Sequence, residues 1–487
     1  MTMQASGQID KTLDRLGAIL ANQKAAFLAE GVVSPETRRD RLSRLIHLTC
    51  ENGDAIVDAI VQDFDGAKSR HFTLMSELLG KVHGMEHARD HLASWMKPET
   101  REPTGAAKEA GAVADVIRQP KGVVGIMSPW NMPFGLSVSP LTSALAAGNR
   151  AMIKPSEFTP TMSALMEELF SRYFSPEEIA VVVGGVEVGE AFARLPFDHL
   201  LFTGSTSVGR HVMRLASENL VPVTLELGGK SPVIIGSKAN IAAVAPRLAF
   251  AKMANGGQLC LAPDYVLVAK QLEAALVDQL INETSAMFPR VHTNSDHTGI
   301  INSRHFDRLE NLVNDARSKG ARITVVGASS PGRQGSNARR MPLHIVQNVS
   351  EKMALMDEEI FGPVLPIIPF ERIEEAVSFV RRRPKPLALY YFGRDAAEEQ
   401  FVLEHTESGG VTTNGFYQHY LQENLPFGGV GASGMGAYHG RDGFIEFSHT
   451  RAVLLQAPDA KQNPALRPPL TDDLLQFFRS ELKRRIA

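Results

Sequence analysis

The chain reads as an α/β protein built from two doubly wound, mostly parallel sheets and a projecting β arm. Three observations predict this. From residue 122 onward short apolar runs alternate with helical stretches, the mark of βαβ repetition with helices on both faces of a sheet. The alternation falls into two series, joined near Gly228-Gly229, so two α/β domains are expected. Residues 101–118 have a different texture, rich in turn formers, and break the helical pattern before the first series starts.

Taken in order, residues 9–97 are expected to be helical. Ile9, Leu13, Leu16 and Leu20, then Leu42, Leu45, Ile46 and Leu48, recur near helical spacing. Pro98 ends this region. Pro103-Thr104-Gly105 supplies a turn and the apolar stretch around Val113, Val116 and Ile117 a strand, which together suggest a projecting hairpin. The first βαβ series places strands at 123–127, 151–154, 179–183, 199–202 and 221–225. The second places them at 232–235, 265–269, 322–326, 364–369, 387–392 and 410–413. Gly332-Arg333-Gln334-Gly335-Ser336-Asn337 is the candidate mobile loop. The tail brings Leu474, Leu475, Phe478, Leu482 and Ile486 onto one helical face, expected to dock on the protein body.

Composition narrows the function. At 487 residues the chain is too long for one core. A hydrophobic content of 44% with 22% charge is ordinary for a water-soluble globular protein. A net charge of -3 argues against a nucleic-acid binder. Two cysteines make no disulfide framework, which points to a reducing compartment. The first residues show no basic segment followed by an apolar run, and no stretch has the roughly 18 uncharged apolar residues of a spanning helix. A cytoplasmic enzyme without membrane insertion is expected.

Three segments carry chemistry. Cys260 stands in Asn255-Gly256-Gly257-Gln258-Leu259-Cys260, where the glycines let backbone approach closely and leave amides free. A thiolate is a strong nucleophile, but a free thiol is mostly protonated near pH 7 and needs help from its surroundings. Glu226 lies 34 residues earlier, at the end of an apolar strand and before Gly228-Gly229-Lys230, placed to pull a proton from water. Asn131, in Ser128-Pro129-Trp130-Asn131-Met132-Pro133, offers an amide to a developing oxyanion. Taken alone, each has a plainer reading: a small buried cysteine, an N-cap or ion-pair carboxylate, an Asx-turn residue.

Further segments suit a dinucleotide. Gly204-Ser205-Thr206-Ser207-Val208-Gly209 joins a strand to a helix, and reads either as a phosphate seat or as a tight turn without a ligand. Lys154 and Glu157, at the tip of another strand, can hydrogen-bond the hydroxyls of a ribose, or be surface charge. Glu157 would repel a 2′-phosphate, favouring NAD over NADP, with NADP kept possible. His83, His87 and His91 share a helical face, but their charged neighbours read as a solvated surface, and no metal is expected. The basic run Arg381-Arg382-Arg383-Pro384-Lys385 reads as a solvated helix end.

Together these segments resemble the aldehyde dehydrogenase superfamily over roughly residues 35–457. The motifs occur in the family's order: Pro129-Trp130-Asn131, Lys154-Pro155-Ser156-Glu157, Phe202-Thr203-Gly204-Ser205, Leu225-Glu226-Leu227-Gly228-Gly229-Lys230, Gly257-Gln258-Leu259-Cys260 and Glu358-Glu359-Ile360-Phe361-Gly362-Pro363. Within the superfamily the chain is similar to the class 3 branch of fatty, aromatic and coniferyl aldehyde dehydrogenases. Ala262-Pro263-Asp264-Tyr265, Lys385-Pro386-Leu387-Ala388-Leu389-Tyr390 and the stretch from Pro426 to Gly440 carry that likeness. Pro140 stands where many other branches have lysine, as in class 3. Leu259 departs from the threonine usual in class 3 before the cysteine, at a position expected to line the aldehyde pocket.

The resemblance implies a Rossmann-like NAD-binding domain over 1–99 and 120–227, a catalytic domain over 228–412, and an oligomerisation arm over 100–119 and 445–457. Residues 413–444 would return to the cofactor domain, with 458–487 as a tail. It implies Cys260 as nucleophile, Asn131 and the Cys260 N–H as oxyanion donors, and Glu226 as the base for hydrolysing a thioester. Trp130, Lys154, Glu157, Gly204, Ser205, Gly209, Glu359 and Phe361 would contact the cofactor, with Glu359 on the nicotinamide ribose. A homodimer acting on a hydrophobic aldehyde, aromatic or medium-chain, is expected. A CoA-acylating dehydrogenase would not need Glu226. A cysteine hydrolase would want a histidine partner, and none lies near Cys260 in sequence.

Overall fold

A computed structural model of the chain describes residues 3–327, 339–458 and 468–486. The candidate mobile loop at Gly332–Asn337 lies outside the described residues. Two units are present, Met1–Trp95 with Pro120–Ser448, and Met96–Gln119 with His449–Ala487.

In the smaller unit, β1 (Glu99–Arg101) pairs antiparallel with β2 (Val113–Pro120), Glu99 facing Val116. The connection is no simple turn. It contains a helical turn, Gly105–Glu109, entered through Gly105 at φ 58° and sustained by the helix formers Ala106, Ala107 and Lys108.

The larger unit opens with helices Met3–Glu30, Pro35–Glu51, Gly53–Asp63 and Gly80–Trp95, as the periodicity predicts. Ser34 caps the second by accepting the Thr37 N–H, and Pro35 sits at its first position, where no N–H is needed. One departure interrupts the series: Leu74–Leu79 is a π-helical turn. Such turns concentrate at functional sites.

Then come β3 (Val123–Met127), β4 (Arg150–Lys154), β5 (Ile179–Val181), β6 (His199–Gly204) and β7 (Val223–Leu227). They are followed by β8 (Pro232–Ile235), β9 (Tyr265–Ala269), β10 (Arg322–Val326), β11 (Leu343–Gln347), β12 (Val364–Phe370), β13 (Ala388–Phe392) and β14 (Gly410–Thr413). A two-residue strand, β15 (Gly434–Met435), and β16 (Ser448–Leu455) complete the set.

The first sheet has the order β15-β7-β6-β3-β4-β5 and is parallel except for β15. The second runs β10-β11-β12-β9-β8-β13-β14 and is parallel except for β10 against β11. This is the doubly wound α/β class that the alternation predicts. Parallel strands are covered on both faces, so they read as unbroken apolar runs, and every residue of β3, β4, β8, β9 and β13 is buried. Leu16 and Leu20 of the first helix join Val123, Leu200 and Phe202 in one core cluster beneath the first sheet. Sheet order reverses between β3 and β6, which opens a crevice at their C-terminal ends.

β16 closes the small sheet in the order β1-β2-β16. In the tail, Thr471 caps the helix Asp472–Arg484. The expectation that this helix packs its apolar face is not met: none of its residues is buried, and Leu475, Phe478 and Leu482 are exposed. Among the described residues no helix is long and apolar enough to cross a membrane.

Candidate active site

β7 runs to Leu227, two residues beyond the predicted end, so Glu226 lies inside the strand. Its Cα faces Thr203 of β6 on one side and Gly434 of β15 on the other. Glu226 is 3% exposed, and neither carboxylate oxygen has a hydrogen-bond partner. Burial, with the negative charge of Glu446 behind it, pushes its pKa well above the ordinary carboxylate range.

Cys260 follows a left-handed run of backbone, two of whose three residues are glycine. Asn255, Gly256 and Gly257 take φ values of 52°, 63° and 73°. A Cβ on Gly257 would stand 2.6 Å from the carbonyl group of Gly362. Gln258 locks the turn: its amide donates to Asn255 O (2.9 Å) and Gly299 O (3.0 Å), and its oxygen accepts the Ile301 N–H (3.0 Å). Tyr390 ties the far side by donating to Leu261 O at 2.7 Å. The sulfur that results is half-buried, at the floor of a cavity.

Its electrostatic setting is hostile to a thiolate. Burial, then the charges of Glu359 and Glu226, push the Cys260 thiol up to about 12, against the pull of the Cys260 and Leu261 N–H groups. Burial first, and Asp264 next, raise Glu359 to about 8.

Glu359 is folded onto the end of β7. The Gly229 N–H bonds its carboxylate, and a Cβ on Gly228 would displace the Glu359 carboxylate from this position. Lys230 holds this loop in place. It donates to Leu355 O (2.7 Å) and Glu358 O (2.8 Å), and it pairs with Asp264, which also accepts the Ile360 N–H (2.8 Å). The structure thus brings the residues at 226–230, 260–264 and 358–361 together.

Asn131 is 4% exposed and adjoins the cysteine turn: its side-chain amide donates to Gln258 O at 3.0 Å. Its own carbonyl accepts from Asn255 (3.1 Å) and from Lys68 Nζ (2.9 Å). Lys68 is fully buried beside Glu77, 3.7 Å away, and Glu77 takes the Phe134 and Gly135 N–H groups at 3.1 and 3.0 Å. Burial lowers the pKa of Lys68 and raises that of Glu77, while each charge supports the other. Lys68 and Glu77 are positioning residues outside every motif, while Gln258, Lys230 and Asp264 stand within the motifs, which assign them no role. The one available signal was Glu77, an acid set among Leu74, Met75, Leu78 and Leu79.

The remaining candidates line the crevice side. Ser205 is exposed and caps the helix Thr206–Ser217 by accepting the Val208 N–H. Gly204 ends β6. Gly209 is buried with its Cα face against Leu227, where a Cβ would be 2.5 Å away, so it sets how closely that helix rides the sheet. Lys154 is buried at the end of β4 and bonds Glu157 at 3.1 Å. Trp130 and Phe361 meet edge to face, ring centroids 5.5 Å apart, with Phe361 at φ 49°. Cys260 also opens on a cavity of about 810 Å³ whose walls include Phe72, Met132, Leu136, Leu259, Phe416 and Phe427. Leu259 lines it as expected.

The aldehyde dehydrogenase family model matches residues 9–453. The chain belongs to the aldehyde dehydrogenase family. It is an enzyme, an oxidoreductase acting on aldehydes. A probable coniferyl aldehyde dehydrogenase of Caulobacter vibrioides is 48% identical over 468 residues, covering 96% of each chain. The coniferyl aldehyde dehydrogenase of a Pseudomonas species is 46% identical, covering 94% of each. Among solved structures, the substrate-bound state of Staphylococcus aureus AldH is 33% identical with a TM-score of 0.88, over 96% of this chain and 99% of that one. An aldehyde dehydrogenase of Mycobacterium tuberculosis in complex with NAD+ is 28% identical, TM-score 0.81, over 91% of this chain.

Proposed function

We propose that the protein oxidises hydrophobic aldehydes, aromatic ones of the coniferyl type foremost, to carboxylic acids with NAD as the oxidant. The observation that carries the reading is that Cys260 and Asn131 line one apolar cavity, with Glu226 near enough for its charge to act on the Cys260 thiol. The relatives' names support the aromatic substrate.

The residues present fit a dinucleotide. The crevice where sheet order reverses holds the capped N-terminus of the helix Thr206–Ser217, with Ser205 and Ser207 exposed beside Gly204. Lys154 and Glu157 stand at the end of the adjoining β4, where they would take the adenosine ribose. Glu359 would hold the nicotinamide ribose, with Phe361 and Trp130 packed alongside. NAD, when bound, supplies the hydride acceptor and a positively charged ring.

At the protein's own atoms the chemistry runs as follows. Cys260 gives up its thiol proton to solvent as Sγ adds to the aldehyde carbon. The Asn131 amide and the Cys260 N–H hold the oxygen as it becomes an oxyanion. Loss of hydride from that carbon leaves a thioester on Cys260. Glu226, buried with neither carboxylate oxygen hydrogen-bonded among the described residues, takes a proton from the water that attacks the thioester. The thiol leaves and the acid is released. A cytoplasmic homodimer is part of the same proposal.

Rapid-mixing kinetics with NAD and an aldehyde, with and without CoA, test the reading. Cys260→Ala should form no NADH. Glu226→Gln should give a burst near one NADH per site and then turnover slowed at least tenfold. Undiminished steady-state turnover by Glu226→Gln, or NADH formation by Cys260→Ala, would overturn the assignment.

A further inference from the structure

The cavity above Cys260 is apolar over most of its wall, and among the polar residues on it Lys81, Tyr420 and Glu423 form a cluster that the proposed chemistry leaves unused. Lys81, on the helix Gly80–Trp95, is 8% exposed and lines the cavity. Its ammonium donates to the Tyr420 hydroxyl and stands 4.8 Å from that ring's centroid. An ammonium has three donors. This hydrogen bond uses one, and among the described residues Lys81 makes no ion pair.

A carboxylate faces the same space. Glu423 lines the cavity against Gly84, which lies three residues along the same helix face from Lys81. Burial raises the Glu423 pKa, and the charges of Lys81 and His83, both also on the cavity wall, oppose that rise. Tyr420 is held in place by its neighbours: Phe427 packs edge to face on it at 4.8 Å and His439 lies 5.0 Å away. The buried Tyr438 phenol connects this cluster to the reaction centre, because Glu226, Tyr420, Cys260 and Glu423 all act on its ionisation.

A cationic donor, a phenol and a carboxylate facing one mostly apolar cavity are poorly matched to an aliphatic chain, which would leave them desolvated and unsatisfied. They match a hydroxyl group, which accepts from one side and donates to the other. We infer that Lys81, Tyr420 and Glu423 form the specificity anchor for a ring hydroxyl of an aromatic aldehyde whose carbonyl lies at Cys260. Lys81 and Tyr420 donate to the hydroxyl oxygen, and Glu423 accepts its proton. The inference rests on the proposed aldehyde oxidation and adds the class of substrate and the residues that select it.

The test compares kcat/KM for 4-hydroxycinnamaldehyde, 4-methoxycinnamaldehyde and cinnamaldehyde in the wild type, Lys81→Met, Tyr420→Phe and Glu423→Gln. The wild type should favour the free hydroxyl over both others by about 10- to 100-fold, mainly through KM, as expected for hydrogen bonds to charged groups. Lys81→Met and Glu423→Gln should each cut that preference by about 10-fold or more, and Tyr420→Phe by less. A wild type without the preference, or variants that lose all three substrates in equal proportion, would overturn the anchor and leave the aldehyde chemistry standing. Absence of oxidation of any of the three by the wild type would instead overturn the function on which the anchor depends.

Discussion

Cys260 is held as a thiol by its own active site. Its pKa is pushed up to about 12, and two carboxylates with raised pKa values, Glu359 at about 8 and Glu226 well above its usual range, share the space. The sign of the pH effect follows. As pH rises through about 8, Glu359 ionises and adds negative charge beside the sulfur, so the thiolate appears still later. In the ligand-free enzyme, iodoacetamide at pH 7.5 should therefore modify the exposed Cys50 at least tenfold faster than Cys260, as read by peptide mass spectrometry. Glu359→Gln removes the charge that tops the electrostatic causes and should speed Cys260 alkylation severalfold at pH 9. Faster labelling of Cys260 than of Cys50 in the wild type would refute this account of the site.

At the level of elements, the Asn131 loop depends on a buried pair supplied by two other segments. Lys68 binds the Asn131 carbonyl, and Glu77, on the π-helical turn, binds the N–H groups of Phe134 and Gly135. Lys68→Met leaves Glu77 buried without its cation, a loss of about 3–5 kcal/mol. Calorimetry should show a thermal midpoint lowered by several degrees, with kcat reduced alongside; an unchanged midpoint would mean that the pair carries no stability. Beyond the lone acid Glu77 in an apolar stretch, this is not legible in the sequence, because Lys68 and Glu77 meet only through tertiary packing. What was legible had either periodicity or spacing behind it. Val123–Met127 and Tyr265–Ala269 read as strands because both faces are buried. Leu343–Gln347 was missed: Pro342 precedes it, and His344 breaks a run only five residues long. Gly434–Met435 was missed because it is held by backbone pairing alone, with no apolar signal. The strand with Glu226 was read two residues short, since a carboxylate and glycines look like a strand's end.

For the whole molecule, the small β1-β2-β16 sheet is the part that suits association. β16 is an edge strand exposed along most of its length, with Leu454 and Leu455 both more than half exposed. An open apolar edge of this kind invites pairing. Sedimentation should give twice the 53.1 kDa chain mass, and Leu454→Lys with Leu455→Lys should shift it toward monomer; a wild type that stays monomeric at micromolar concentration would dismiss the dimer. The first sheet also carries a message about biosynthesis. Its β7 edge, bearing Glu226, is paired by Gly434 and Met435, more than two hundred residues later in the chain. On the ribosome that edge has no partner until the entire second sheet has been translated, because such distant segments cannot meet earlier. The nascent chain therefore grows by more than two hundred residues with that strand edge unpaired, a window in which a chaperone, or a neighbouring chain, has the first opportunity to bind.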